Sequence, residues 1–330
     1  MDIPSLLAAM TTTGIVSVGV AQFLSKRLLD HRLSKDLKDY DANIGERLAL
    51  HKAALDKVVN DAKAESEAKL KKELDEYLGD RSAERTYRAE AKRRLYLAVG
   101  PLRFQLLVAA SELSNRVSRI GDGKYTYDMS MRGYFGQSTA YRMLRVLAIS
   151  ELIERQVAYA DFAVDPEMRS LLRFKRQALL SLSSHRVSLG HPQEDWNRQI
   201  QHVFYDVLGI ISSSMITHDA PTDAGRVLRF DEFAMMVAAK DGLQRIDPVP
   251  RLLDGFSVQS KPVLWLRLLA LAQLCVGLLE ANGPDLGLEV EEIKLDQMLE
   301  QAGDAHINER RETYSKALNA FRTSFAKTEG

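Results

Sequence analysis

The sequence predicts an all-α protein: an N-terminal single-pass transmembrane helix, a long charged helical or coiled-coil stalk, and a C-terminal multi-helix bundle. Three observations predict it. An uncharged apolar run, Ile3–Leu24, flows into a charged segment reaching Val99, with no proline between Pro4 and Pro101. From Pro101 onward, helix-length apolar patterns follow one another. Alternating strand patterns are confined to the short stretches Lys124–Met131 and His185–Leu189. The expected domains are therefore an anchor over 1–24, a stalk over 25–99 and a bundle over 100–330.

The anchor reads IPSLLAAMTTTGIVSVGVAQFL, 22 residues without a charge. About 20 helical residues span the hydrocarbon core. Leu6, Leu7, Ile15, Val16, Val18, Val20, Phe23 and Leu24 supply its apolar surface, diluted by Thr11, Thr12, Thr13 and Ser17. Asp2 stands where a secretory signal would be basic. Lys26, Arg27, Arg32 and Lys35 follow the run at once. Basic residues stay on the cytoplasmic side, so the expectation is a bacterial inner-membrane protein with its N-terminus outside and its bundle in the cytoplasm.

In the stalk, apolar residues recur at Leu29, Leu33, Leu37, Tyr40, Ile44, Leu48, Leu55, Val58 and Ala62. Steps of three and four make a narrow seam, the pattern of a coiled coil and hence of a homo-oligomer. Glu84–Arg88 and Glu90–Arg94 fall at the favourable i,i+4 order on the charged faces. A straight helix over this segment forms an extended rod. The other arrangement open to it is folding back on its own domain.

The bundle is expected to contain helices over Pro101–Ser118, from near Ser138 to Ala160, and from Pro166 after an Asp165 cap. Others cover residues 194–216, a short run capped by Asp231, and Val263–Leu279, the most apolar of all. Arg267 and Gln273 lie about 240° apart around that last helix at 3.6 residues per turn. No single dry face exists, so it reads as a central buried helix and not as a second span.

Composition excludes several classes. Net charge is zero, and residues 1–99 carry 18 Lys/Arg against 16 Asp/Glu, so no nucleic-acid partner is expected. The single cysteine, Cys275, lies in an apolar run, which excludes an internal disulfide and a Cys-rich metal site. The seven histidines show no zinc-ligand spacing. GDGK at 121–124 has Ser118 and Tyr125 where a phosphate loop needs glycine and Ser/Thr. No enzyme, cofactor or metal is predicted.

One stretch stands out, Met131–Arg142, MRGYFGQSTAYR, where two glycines bracket two aromatics ahead of a helix expected near Ser138. Free N–H groups at such a helix start attract an anion, and Arg142 and Arg145 follow one turn on. The candidate binding residues are Tyr134, Phe135, Ser138, Thr139, Tyr141, Arg142 and Arg145. A phosphorylated small molecule or an acidic peptide fits this chemistry. Pairing of the same arginines with Glu151, Glu154 or other acids inside the bundle is the competing use. Arg169, Arg173 and Arg176 form a second basic strip. The run YFGQSTAYRMLRVLAISELIERQVAYADFAVDP, Tyr134–Pro166, resembles a motif in uncharacterised bacterial helical-domain proteins. The resemblance implies a recurring domain and no known activity.

The function these features predict is a membrane-anchored, self-associated scaffold or sensor. It contacts membrane lipid and binds a protein partner or ligand through its bundle. The alternative is an effector that permeabilises the membrane on a signal, as in phage defence, with polar Thr11–Thr13 lining water.

Overall fold

The structure is a computed structural model that describes residues 65–123, 127–157, 166–219, 225–282, 287 and 292–324. It also describes Leu37, Tyr40, Ile44, Glu46, Arg47, Ala49 and Leu50, all helical. The anchor run 3–24 and the basic residues Lys26, Arg27, Arg32 and Lys35 lie outside the described residues. The chain is mostly helical and divides into two compact units, one holding the described residues up to Pro101 and the other those from Leu102 onward.

In the first unit, the expected pairs Arg88–Glu84 and Arg94–Glu90 are formed, at 2.5 and 3.0 Å. One contact corrects the rod. The Arg85 guanidinium lies 5.5 Å from the centre of the Tyr40 ring. On one straight helix these residues would stand about 68 Å apart at 1.5 Å per residue. Tyr40 and Arg85 therefore lie side by side, as the fold-back arrangement requires and a straight rod does not.

The helix expected over Pro101–Ser118 is the end of a longer one, α1 (Glu65–Gly121), which continues through Pro101. Then come α2 (Tyr134–Val157), α3 (Pro166–Ser183), the single turn α4 (His185–Ser188) and α5 (Tyr205–Ser214). A two-residue antiparallel pair follows, β1 (Ile216–Thr217) with β2 (Arg226–Val227). Next are α6 (Phe230–Ala238), a 3-10 turn over Leu243–Ile246, and α7 (Val249–Leu253). The chain closes with α8 (Pro262–Asn282), α9 (Leu295–Glu300), α10 (Ala305–Glu309) and α11 (Arg311–Thr323).

Several expected boundaries move. Residues 194–204 are irregular and only 205–214 are helical, because Gln199, Gln201 and Glu194 bond elsewhere than along a helix. The strand candidate His185–Leu189 is mostly the turn α4, and no strand occurs over 127–131. At α6 the N-cap position is Arg229 and not Asp231, and Glu232, in the first turn, accepts from the Arg229 N–H through Oε2 at 2.7 Å. Arg226 forks onto both Glu232 and Asp219, pinning the small hairpin to that helix start.

The centre of the second unit is α8. Every residue from Pro262 to Leu279 is buried. Among the described residues it is the one helix long and apolar enough to cross a membrane, and its qualifying window is wholly buried. Helices α3, α4 and α11 pack against it. At Gly277 a Cβ would come within 2.1 Å of the Arg322 carbonyl oxygen, so glycine is what lets α11 approach this closely. The Gln201 Oε1 accepts from the Val263 and Leu264 N–H groups, at 3.0 and 3.3 Å, and satisfies the start of the helix.

Two polar side chains interrupt α8. Arg267 has no exposed surface and pairs with Glu194, itself 2% exposed. It also donates to the Ser184 carbonyl at 2.9 Å and lies over the Trp196 ring. Gln273 is buried with neither amide atom partnered among the described residues. His202 is buried between the Trp196 and Phe204 rings, at 4.6 and 5.1 Å, and neither ring nitrogen has a partner among the described residues. Burial first, and then Arg267, lower its pKa below the ordinary value.

Arg267→Met is expected to destabilise by about 3–5 kcal/mol, because Glu194 is left buried and alone. Gln273→Leu is expected to stabilise by about 1–2 kcal/mol by removing an unsatisfied amide. Urea unfolding midpoints check both. The depressed His202 pKa means that the unfolded chain binds the proton more readily. Its contribution to stability is therefore complete above the ordinary value of 6.5 and lost as pH falls through the lower folded value. His202→Phe should flatten the stability profile below pH 6.5, and an unchanged acid limb would exclude that cause.

Candidate functional site

The standout stretch forms the end of α2 where it meets the end of α1. Helix α2 begins at Tyr134, not at Ser138. Ser138 and Thr139 therefore sit in the second turn, where backbone N–H groups are already bonded, and the expected anion contact with their amides is lost. The reason lies in the preceding loop. Asp128 folds it by accepting from the Ser130 N–H and hydroxyl, at 2.9 and 3.0 Å. Gln137 donates back to the Met131 carbonyl at 2.9 Å. Gly136 permits this: a Cβ there would stand 2.1 Å from the Ser130 carbonyl oxygen.

The predicted residues separate into two sets. Tyr134 and Phe135 are 47% and 38% exposed. Ser138, Thr139 and Tyr141 are buried. Tyr141 donates to the Leu228 carbonyl at 3.0 Å, and burial raises its pKa. Its ring packs against Phe230 and Phe233. Thr139 Oγ1 has no partner among the described residues. Arg145 is neutralised by Glu112 on α1 at 3.0 Å, and not by Glu151 or Glu154. Those two acids hold Lys175 instead.

Arg142 has no carboxylate partner among the described residues. Its Nη1 donates to the Ser138 carbonyl at 3.1 Å. From α1, Arg116 donates to the Ser138 hydroxyl, also at 3.1 Å, and lies over the Phe135 ring at 5.4 Å. Two guanidinium groups thus converge on one serine. Arg119, one turn along α1, is exposed and has no ion pair among the described residues. The like charges are felt: burial first, then Arg142 and more weakly Arg119, lower the Arg116 pKa, and Tyr134 and Tyr127 only partly oppose them. Tyr127, Tyr134 and Phe135 wall the cluster, with the Tyr127 and Phe135 rings 4.6 Å apart.

Sequence reasoning found the α2 half and missed Arg116 and Arg119. Antiparallel packing of α1 on α2 brings them in, since Glu112 meets Arg145 and Arg116 meets Ser138. Their i,i+3 spacing on an otherwise apolar helix face was the available signal. Chemically the corner presents guanidinium donors with free directions beside aromatic faces, which suits an oxyanion attached to a planar group.

Acid–base or nucleophilic chemistry finds less support. His191 is held by Asp304 at 3.0 Å and by the Gln193 N–H at 3.1 Å, so both ring nitrogens are occupied. Burial pushes the Cys275 thiol up and leaves it protonated. Among the described residues no three His, Cys, Asp or Glu side chains converge to hold a metal.

No family model, curated protein or solved structure matches this chain. Function is accordingly read from the geometry.

Gly136→Ala is expected to force the 128–131 loop off the start of α2, at about 1–3 kcal/mol. Unfolding midpoint and the near-ultraviolet signal of Tyr127 and Tyr134 should both change. A wild-type signal with unchanged stability would show that the loop tolerates the methyl.

Proposed function

We propose that the chain is a membrane-anchored sensor or scaffold whose helical bundle binds a phosphorylated small molecule at the arginine corner. One observation supports this above all. Arg116, Arg119 and Arg142 gather without an acidic partner among the described residues, beside the exposed rings of Tyr134 and Phe135. Holding like charges together costs stability unless something neutralises them, and phosphate accepts the forked donors of arginine well. The two rings offer a face for a planar group on the same ligand.

The anchor is read from Ile3–Leu24, with Lys26, Arg27, Arg32 and Lys35 on its cytoplasmic flank. Self-association is assigned to this segment and to the apolar seam that follows it.

Calorimetric titration of the full chain with adenosine monophosphate should show binding that weakens with salt. Affinity should fall roughly tenfold or more in Arg116→Gln and in Arg142→Gln, the loss of one charge-assisted bond each. Absence of heat at millimolar ligand, or an affinity unchanged from wild type in both variants, refutes the site. Tighter binding of a polyglutamate peptide at the same arginines would replace the small molecule by an acidic segment. In fractionated cells the protein should pellet with membranes, and recovery in the soluble fraction without detergent refutes the anchor.

A further inference from the structure

Residues 194–204, between α4 and α5, form neither helix nor strand, and side chains hold them in place. Glu194 pairs with Arg267 of α8. The Gln201 Oε1 accepts from the Val263 and Leu264 N–H groups at the start of that helix. Main-chain bonding to the neighbouring helices is thin: the Val203 N–H donates to the Leu182 carbonyl of α3 at 3.2 Å. The outer face is already wet, with Trp196, Ile200 and Phe204 41%, 42% and 40% exposed. A segment attached in this way opens at lower cost than a core helix.

The inner side of this segment is plugged by His202, 1% exposed and stacked between the Trp196 and Phe204 rings. Three charged groups face it. Arg267 does so from α8, and Glu194 and Asp195 from its own segment. The last turn of α3 carries no basic group, and His185 and Arg186 of α4 are exposed. Asp195 is engaged elsewhere: its Oδ1 accepts from the Asn197 N–H and side-chain amide, at 2.9 and 3.2 Å. A charged His202 therefore leaves two cations and one carboxylate at this depth. Whichever of them takes Glu194, the other stays buried, unpaired and beside a like charge. Burial and Arg267 accordingly disfavour the charged ring, and Glu194 and Asp195 only partly oppose them. Lifting the segment into water removes that conflict.

We infer that residues 194–204 are a proton-released latch, shut on the start of α8 while His202 is neutral and lifted from it when His202 is charged. Release frees the Val263 and Leu264 N–H groups and uncovers the faces of Trp196 and Phe204 that His202 now separates. The proton binds the open form better than the shut one, so acid shifts the population without unfolding the bundle. The inference uses none of the residues of the arginine corner, so the failure of either leaves the other standing.

The test is hydrogen exchange of the full chain between about pH 7.5 and 5, read by mass spectrometry and corrected for the intrinsic pH dependence of amide exchange. The opening constant of residues 194–204 and of Val263 and Leu264 is expected to rise as pH falls below 6.5. One proton gives a rise of up to roughly tenfold per pH unit, levelling off below the lowered folded value. Helix α2 and the middle of α8, Ala270–Val276, should stay protected. His202→Phe, which keeps the ring stack, and His202→Gln should each remove the pH dependence. In the unaltered chain, acrylamide should quench Trp196 more strongly as the latch opens. Trp265, fully buried and bonded to the Met298 carbonyl, is the internal reference. Exchange unchanged down to the acid unfolding midpoint, or a pH dependence that survives in both variants, overturns the inference. So does protection lost from α2 and α8 at the same pH, which is global unfolding, or unchanged quenching of Trp196.

Discussion

A guanidinium with no exposed surface sits in the second turn of the most apolar described helix of this protein, and much of the second unit depends on how it is satisfied. Arg267 on α8 reaches Glu194 and the Ser184 carbonyl, and lies over Trp196. An unpaired charge at that depth would cost several kcal/mol. The pair therefore fixes the irregular segment between α4 and α5 against the central helix. With that segment held, Gln201 reaches the free N–H groups at the start of α8, and His202 is closed in between two rings. Helix α5 then begins at Tyr205, which places Gly209 and Ile210 along a cleft between α2, α3 and α5. One ion pair thus links core packing to the geometry of a surface groove.

How much of this was legible in the sequence depends on what each inference needed. The helical class followed from periodicity, a local property. The burial of α8 followed from the angular spread of Arg267 and Gln273, which denies it a lipid-facing side. The start of α3 followed from Pro166. Other features depend on contacts distant in sequence, and these escaped. Residues 194–204 carry apolar residues at helical spacing, yet Glu194 and Gln201 bond to a helix some 60 residues or more away, and the local helix loses. Likewise, the seam over Leu29–Ala62 reads as an oligomer interface. Periodicity specifies a partner helix without saying whose, and at one seam position, Tyr40, the neighbour is Arg85 of the same chain.

The candidate corner was half legible for the same reason. Glycines, aromatics and arginines between Met131 and Arg145 are dense enough to notice. Their roles were not readable, because the boundary of α2 depends on the loop that Gly136 admits. The neutralisation of Arg145 depends on Glu112, 33 residues earlier. The anionic partners expected for it, Glu151 and Glu154, are drawn away by Lys175. A sequence displays its charges, and only the fold decides which of them cancel.

That distribution separates structural arginines from those available to a ligand. With equal numbers of acidic and basic residues, the fold has carboxylates enough to pair its cations. It does so at Arg145, Arg155, Arg226, Arg251, Arg267 and Arg322. Some of the described arginines outside these ion pairs stand singly on the surface, Arg132, Arg186, Arg198 and Arg245 among them, and they call for no explanation, since isolated exposed charges are cheap. Two groups differ. Arg116, Arg119 and Arg142 meet at one end of α2, and Arg169, Arg173 and Arg176 line one side of α3. Each group lies beside exposed apolar side chains, Tyr134 and Phe135 at the first, Tyr205 and Ile210 near Arg176 of the second. Repulsion within such a group is relieved by an anion, and exposed rings or aliphatic side chains beside it are relieved by an apolar surface. A binding partner carrying both removes two costs at once, and neither cost has a remedy within the described part of the chain.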